Sequence, residues 1–185
     1  MTGNRLESAR LSPDQVAHIS QLVAEYISTQ RERYGTRAAP LTLKQAGATS
    51  PFFTPELLVS TRVLVLRSER LSNPDFYPTV RKLGFENLPD QRTMAAITFC
   101  DVVVSHETFT DHLLFHELVH VEQYKQLGIE RFAELYVRGF LEGGSYEAIP
   151  LEINAYTLED RFRRQPHRVF SVREEVRSWL SDNKF

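Results

Sequence analysis

Residues 113–121 of this chain read Leu-Leu-Phe-His-Glu-Leu-Val-His-Val, an apolar segment that carries two histidines and one glutamate. In an α-helix, residues four positions apart lie one turn apart on the same face, so His116 and His120 can reach one metal ion. Glu117 lies on the adjoining part of that face, where its carboxylate can take a proton from water at the metal. The residues around and between the histidines are apolar, which favours a buried helix beneath a metal site.

The pattern H-E-x-x-H on a helix is typical of zinc metallopeptidases, in which both histidines hold Zn²⁺ and the glutamate is the general base. A catalytic zinc usually has three protein ligands and an open position for water. One class of these enzymes takes a third histidine from the extended motif H-E-x-x-H-x-x-G-x-x-H. The glycine and histidine positions of that motif are occupied here by Gln123 and Gln126, so this class is excluded. A second class takes a glutamate from a later helix.

Three glutamates lie in the range expected for that third ligand: Glu142, Glu147 and Glu152. We predict Glu152, because Pro150 suits the first turn of a helix and a carboxylate there can face a neighbouring helix. Ala155 on the same face permits close approach. Glu142 precedes two glycines, where we expect it to face solvent. Glu147 lies in a connecting turn and remains the alternative.

Residues 113–156 resemble the core of small bacterial gluzincin-type zinc peptidases, in particular the peptidase domains associated with extracellular contractile injection systems. The matching pieces are HELVHVEQYKQLG, an aromatic-rich helix, and SYEAIPLEINAY. The resemblance implies a zincin-like fold with Glu117 as the catalytic base. The zinc ligands that it implies are His116, His120 and Glu152. Gluzincins often carry an acidic residue four positions after the ligand glutamate, which orients a ligand histidine, whereas this chain has Tyr156 there.

A metal-dependent hydrolase also needs a donor to the developing oxyanion, and we consider Tyr146, Tyr156 and His167 as candidates. His112 precedes the motif by one further turn, but His112 and His120 are about 12 Å apart along a straight helix, so both cannot bind one metal together with His116. His106 is expected to be solvated.

The composition is that of an ordinary globular protein, with 185 residues, 42% hydrophobic residues, 25% charged residues and a formal net charge of −2. No long run of one charge sign is present, which argues against nucleic acid or an anionic membrane as a partner. The single cysteine, Cys100, is expected to be a buried thiol. Residues 1–10 contain no apolar segment that would serve as a signal peptide, and no stretch reaches the ~20 apolar residues of a membrane span. We therefore predict a cytoplasmic location, with export by a route that needs no signal peptide as the alternative.

The periodicity of apolar residues and the turn signals predict one mostly helical α+β domain over residues 1–185, and the resemblance implies that this domain is zincin-like. A small β-sheet is expected beside the motif helix. The first predicted helix has a capping box formed by Ser12 and Gln15, and it runs from Pro13 to about Arg33, before Gly35. The motif helix follows a cap at Thr108 or Thr110 and runs to about Gln126, with Gly128 as its stop. Further helices are predicted over residues 129–142 and 150–164, with a short last helix after Ser171. Predicted strands are Leu57–Leu66 and Ala95–Val104, and residues 36–56 and 67–93 are expected to be loops. The second strand either pairs with an extended substrate or is purely structural.

These features predict a zinc-dependent metallopeptidase that acts on a peptide or protein. An alternative of a different class is a non-catalytic domain with a zincin fold, which would be an interaction component or cargo of a bacterial assembly. The intact Glu117 argues against it, because a purely structural zinc does not require a base. A third interpretation is a packed helix without any metal.

Overall fold

The first helix begins where the capping signals of the sequence predict it. In the computed structural model, which describes residues 11–185, helix α1 spans Pro13–Gly35. The Ser12 hydroxyl accepts a hydrogen bond from the backbone N–H of Gln15, and the Gln15 side chain accepts one from the backbone N–H of Ser12. This reciprocal pair satisfies two backbone donors at the helix start. Residues 1–10, for which we predict no signal peptide, lie outside the described part of the chain.

The region between residues 36 and 66 differs from its prediction. The expected loop contains strand β1 (Ala39–Pro40) and helix α2 (Leu43–Thr49). The predicted strand Leu57–Leu66 is wrong in its first half, where helix α3 (Pro55–Ser60) precedes the shorter strand β2 (Arg62–Val65). Thr54 caps α3 through the backbone N–H of Leu57. These start signals outweigh the alternation of apolar residues in the segment.

The predicted strand Ala95–Val104 is a hairpin of two strands, β3 (Ala96–Phe99) and β4 (Val102–Ser105). Cys100 lies in the turn with a left-handed backbone (φ 62°) and is half-buried, so the prediction of a fully buried thiol is wrong. The strand order in the sheet is β1-β2-β4-β3, in which only β2 and β4 are parallel. Strand β3 is therefore an edge strand, and it packs against α5 and α1.

Four further helices complete the fold. The short α4 (Tyr77–Lys82) lies in a region predicted as loop. Helix α5 (Asp111–Gly143) contains the motif and is broken at Gly128, whose φ of 75° and ψ of 168° separate the two helices that the sequence predicts there. Helix α6 (Pro150–Arg164) and helix α7 (Val172–Ser181) follow, and a 3-10 turn (Tyr146–Ala148) precedes α6.

The core fixes α6 against α5 beside the motif. Phe115 of α5 stacks on Phe162 of α6, with their ring centroids 4.4 Å apart. Ala155 is fully buried in the same cluster, as expected for a small residue at a close helix contact. The described residues form one mixed α/β domain that is mostly helical with a small four-stranded sheet, as predicted. Among them, no helix has the length and apolar character needed to cross a bilayer.

Candidate metal centre

The motif helix is buried on the face that carries the motif. The exposed fraction of the residue is 6% for His116, 4% for Glu117 and 5% for His120. The apolar residues that separate and flank them are also buried; these are Leu114, Phe115, Leu118, Val119 and Val121. The apolar surroundings read from the sequence therefore correspond to a helix in the protein interior.

Helix α6 brings Glu152 to the two histidines. The Nε2 atoms of His116 and His120 are 3.2 Å apart, and Oε2 of Glu152 lies 3.5 Å from the former and 3.3 Å from the latter. In a tetrahedral zinc site with metal–ligand distances of about 2.0–2.1 Å, neighbouring ligand atoms lie about 3.3–3.4 Å apart. The three observed separations match one face of such a tetrahedron. The predicted group His116, His120 and Glu152 could therefore bind a metal ion.

The hydrogen bonds on the far side of each imidazole fix its tautomer. Nδ1 of His116 lies 3.1 Å from the Glu159 carboxylate, and Nδ1 of His120 lies 2.8 Å from the side-chain oxygen of Gln123. Both partners accept, so each Nδ1 carries a hydrogen, and in its neutral form each ring directs the lone pair of Nε2 towards Glu152. Metal-binding histidines usually have such a partner on their second nitrogen.

The Oε2 atom of Glu152 has no hydrogen-bond partner within the described part of the chain, although Glu152 is 3% exposed. A buried charged oxygen without a donor is costly. The Nε2 atoms of both imidazoles face the same point, so the arrangement brings three potential donor atoms together and requires a cation, either a proton or a metal ion, between them. A bound cation would compensate all three, which is why the residues fit a metal.

The charges of the site shift the pKa values of its members. Burial alone would lower the pKa of His116, but the adjacent carboxylates of Glu152 and Glu159 raise it to about 10. Burial likewise opposes protonation of His120, yet the Glu152 carboxylate raises the pKa of His120 above its ordinary value. Burial would raise the pKa of Glu152, whereas His120 and His116 lower it well below the usual range. The site therefore favours a positive charge beside an ionised Glu152.

Glu117 does not belong to the group of potential ligands and has a separate partner. The Thr98 hydroxyl of β3 donates a 2.6 Å hydrogen bond to Oε2 of Glu117. Thr98 and Glu117 are both buried, so this bond fixes the carboxylate beside the edge strand. Oε1 of Glu117 has no hydrogen bond to any other described residue, which leaves it available to a proton.

The sequence analysis missed the partners of the two imidazoles. Gln123 donates through its Nε2 to the carbonyl of Leu151 and to the side chain of Asn154, each at 2.9 Å, so it also connects the motif helix to α6. Glu159 contacts Nδ1 of His116, whereas the resemblance to gluzincins would place such an acidic residue at the position of Tyr156. A signal for Glu159 exists, because it follows Glu152 by seven residues and so lies on the same helix face two turns later.

The other candidate residues lie outside this group. Glu142 and Glu147 are exposed and are not among the residues that cluster at the histidines. His112 is exposed and contacts the edge of Phe162. The prediction that His106 is solvated is wrong, because its Nε2 accepts from the backbone N–H of Leu71 and its Nδ1 donates to the carbonyl of Met94.

The three candidates for the oxyanion donor differ in exposure and in location. His167 and Tyr156 are exposed, although the Tyr156 ring packs 4.5 Å from that of His116. Tyr146 is half-buried and lines a cavity together with Glu117, His120 and Glu152. Burial and the Glu152 carboxylate raise the pKa of Tyr146 far above its ordinary value, so its hydroxyl keeps its proton.

Comparisons of the chain with family models, with curated proteins and with solved structures found no match. The likeness to gluzincin-type peptidases consequently stays a prediction from the sequence.

Proposed function

We propose that this protein is a zinc-dependent metallopeptidase of the gluzincin type. The observation that carries the proposal is the presence, side by side, of a group of potential metal ligands from α5 and α6 and a separate buried carboxylate from α5. Three atoms of His116, His120 and Glu152 are spaced as metal ligands, and the adjacent Glu117 has a carboxylate oxygen free for proton transfer. A site that only binds metal needs the first group and has no use for the second.

Zinc is the metal that this donor set favours. Two imidazoles and one carboxylate form the ligand set of several zinc peptidases, whereas Ca²⁺ and Mg²⁺ prefer all-oxygen sites. When bound, zinc would polarise the substrate carbonyl and lower the pKa of water at the open position.

Glu117 would be the general base and later the general acid. Its Oε2 is held by Thr98, so Oε1 is the atom that would take the proton of the attacking water. The same atom would then deliver the proton to the leaving amine as the peptide bond breaks. Removal of this carboxyl group should stop turnover without removing a metal ligand.

Tyr146 is our candidate for the donor to the oxyanion. It lines the cavity that also contains Glu117 and Glu152, whereas Tyr156 and His167 do not. Its hydroxyl is protonated at neutral pH, as in any tyrosine, and the raised pKa keeps it protonated at alkaline pH as well. Donors directed at a developing negative charge in a buried site contribute strongly to catalysis.

An extended substrate would pair with the outer edge of β3. This strand has β4 as its partner on one side, and Thr98 of β3 contacts the proposed base. Backbone pairing with an edge strand is a common mode of peptide binding. It would bring the scissile bond close to Glu117.

The test compares zinc-loaded wild-type protein with Glu117→Gln on a mixture of peptides, with cleavage followed by mass spectrometry. We expect cleavage by the wild type and unchanged zinc content in the variant. The rate of the variant should be lower by roughly 10²–10⁴-fold, the usual contribution of general acid–base catalysis. The matched control is Glu122→Gln, which alters a buried glutamate of the same helix that pairs with Gln126. Equal activity of Glu117→Gln and wild type would contradict the assignment of the base.

A further inference from the structure

An apolar cavity adjoins the candidate metal centre. It has a volume of about 130 Å³, and Glu117, His120 and Glu152 form part of its wall. The rest of the wall is largely aliphatic and aromatic and comes mainly from α1, α4, β3, the second half of α5 and the loops on either side of α4. Its apolar lining residues include Ile19, Val23, Ile27, Phe76, Val80 and Val137.

The volume of the cavity limits what it can hold. A cavity of about 150 Å³ with apolar walls takes up one benzene molecule, so 130 Å³ has room for one ring or one branched aliphatic group. An extended backbone of several residues does not fit. The occupant therefore has the size of a single side chain.

The polarity of the cavity limits the occupant further. No lysine, arginine or aspartate is among its described lining residues. Its ionisable carboxylates and imidazole are those of Glu117, His120 and Glu152, which the proposed mechanism already uses. A charged side chain in the cavity would lose its hydration without gaining a free partner, which is unfavourable.

Much of the cavity wall consists of buried residues from helices α1 and α5. Ile19 and Ile27 of α1 and Val137 of α5 are each at most 6% exposed. Because these residues also belong to the hydrophobic clusters of the domain, the cavity is a fixed feature next to the reacting groups. Such a cavity can select among substrates by the side chain that it accepts.

We propose that the cavity binds one bulky apolar side chain of the substrate, aromatic or branched aliphatic, in a residue next to the scissile bond. This inference rests on the proposed peptidase activity and adds its substrate class. Substrates with Phe or Leu at that residue are preferred over those with Ala, Asp or Lys.

The first experiment uses zinc-loaded protein and a peptide found to be cleaved, resynthesised with Phe, Leu, Ala, Asp or Lys on either side of the bond. We expect kcat/KM to be about 10- to 100-fold higher for Phe or Leu than for Ala at one of the two positions, the range for burial of an apolar side chain. Equal values for all five residues at both positions would overturn the inference while the peptidase activity stands.

Filling the cavity provides the second experiment. Val137→Phe should bring the ratio of kcat/KM for the Phe peptide to kcat/KM for the Ala peptide close to one. Val23→Phe, from α1, tests the same point if the first variant does not fold. The control Val169→Phe changes a residue that is 60% exposed and is not among the described lining residues, so the preference should persist there. An unchanged preference in both folded cavity variants would contradict the inference.

A third measurement tests binding in the cavity independently of peptide cleavage. N-acetyl-phenylalanine amide should shift the NMR signals of lining residues in wild-type protein and leave Val137→Phe unaffected, whereas N-acetyl-aspartate amide should shift neither. If no peptide is cleaved but this binding is observed, the peptidase proposal fails and the apolar binding site stands. Absence of both cleavage and binding would refute both.

Discussion

The imidazole of His116 has a carboxylate on each side, Glu152 at Nε2 and Glu159 at Nδ1. In a metal-free protein, this arrangement holds a proton on the ring, because both carboxylates stabilise the positive charge. In a metal-bound protein, the cation replaces that proton at Nε2 and the Nδ1 hydrogen bond remains. The same residues therefore predict opposite responses of the metal-free and metal-bound forms to pH.

We expect the metal-free protein to lose stability as the pH rises. The pKa of His116 is about 10 in the folded protein, against an ordinary value of 6.5. Because the folded pKa is the higher one, the contribution of this proton to the free energy of unfolding is complete below pH 6.5 and is lost towards pH 10. The urea midpoint, measured by circular dichroism with a chelator present, should fall across this interval.

Two controls test this pH dependence, one with the variant His116→Asn and one with added zinc. His116→Asn removes the titrating group, so the fall in its urea midpoint between these pH values should be smaller than in the wild type. Added zinc should reverse the trend between pH 5 and 7, because its ligands must lose their protons to bind. A wild-type midpoint that rises steadily with pH in the chelator would contradict the account.

Glu159 should control metal affinity although it is not a ligand. Glu159→Gln removes the charge behind His116 and should weaken zinc binding roughly 10- to 100-fold, the usual cost of losing such a partner. The neighbouring Asp160→Asn is the matched control, because Asp160 pairs with Arg163 and Arg164 at the surface. Competition titration with a zinc chelator measures both. Equal affinities of the two variants would argue against this role of Glu159.

Glu152 should be the third ligand. Glu152→Gln should weaken zinc binding by about 100-fold or more, beyond the cost of an outer partner, in the same titration. Glu147→Gln changes the alternative that the sequence left open and should retain wild-type affinity. The reverse pattern would assign the third ligand to Glu147.

At the scale of residues, the sequence predicts the atoms that can contact a metal better than those that orient them. His116, Glu117 and His120 follow from helical spacing alone, and Glu152 follows from the helix that Pro150 begins. Gln123 and Glu159 orient the two imidazoles through side-chain contacts, and the positions of both residues depend on how α5 packs against α6. Since a single Gln or Glu on a helix is usually a surface residue, spacing by itself does not distinguish them.

At the scale of elements, the approach of α6 to α5 depends on glycine. A Cβ atom added at Gly139 would lie 2.5 Å from Cδ of Pro150 and 3.3 Å from a side-chain carbon of Ile149. These are the residues at which α6 begins, two and three positions before Glu152. The absence of a side chain at Gly139 therefore sets where the Glu152 carboxylate lies.

Gly139→Ala should consequently lower both stability and zinc affinity. The added methyl group requires the start of α6 to move, and such overpacking costs about 1–3 kcal/mol of unfolding free energy. The control Gly47→Ala places a methyl group where no atom lies within 4 Å, so we expect no loss and up to about 1 kcal/mol of gain from helix propensity. Urea unfolding and chelator competition measure the two effects. Wild-type stability and affinity in Gly139→Ala would contradict this close contact.

The elements that the sequence analysis predicted correctly have strong local signals. Helix α1 has a capping box and an apolar stripe, and the motif helix ends at Gly128 as expected. The wrong predictions lie in segments where two sequence signals compete or where a turn is too short to leave a clear signal. In residues 55–66 the cap Thr54-Pro55 starts a helix inside an alternating segment, and in residues 95–104 a two-residue turn at Cys100 interrupts a continuous apolar run.

At the scale of the whole molecule, the site joins distant parts of the chain. Thr98 comes from the sheet, the histidines from α5 and Glu152 from α6, and α1 forms a wall of the adjoining cavity. A metal that holds two helices together should therefore stabilise the entire domain. A ligand that binds only the folded state at 100 times its Kd adds about 2.7 kcal/mol to the unfolding free energy.

Zinc should thus raise the Tm in a concentration-dependent manner. The shift should be absent in His120→Ala and retained in Glu117→Gln, since Glu117 is not a ligand in our account. Differential scanning calorimetry over a range of zinc concentrations measures it. A similar shift in His120→Ala would indicate that zinc binds elsewhere.

The most direct measurement of the central claim is the zinc content per chain, determined by plasma mass spectrometry after zinc loading and dialysis. We predict about one zinc per chain in wild-type protein and in Glu117→Gln, and none in His116→Ala. Zinc-free wild-type protein, or an equal zinc content in all three, would contradict the claim that His116, His120 and Glu152 form a metal centre.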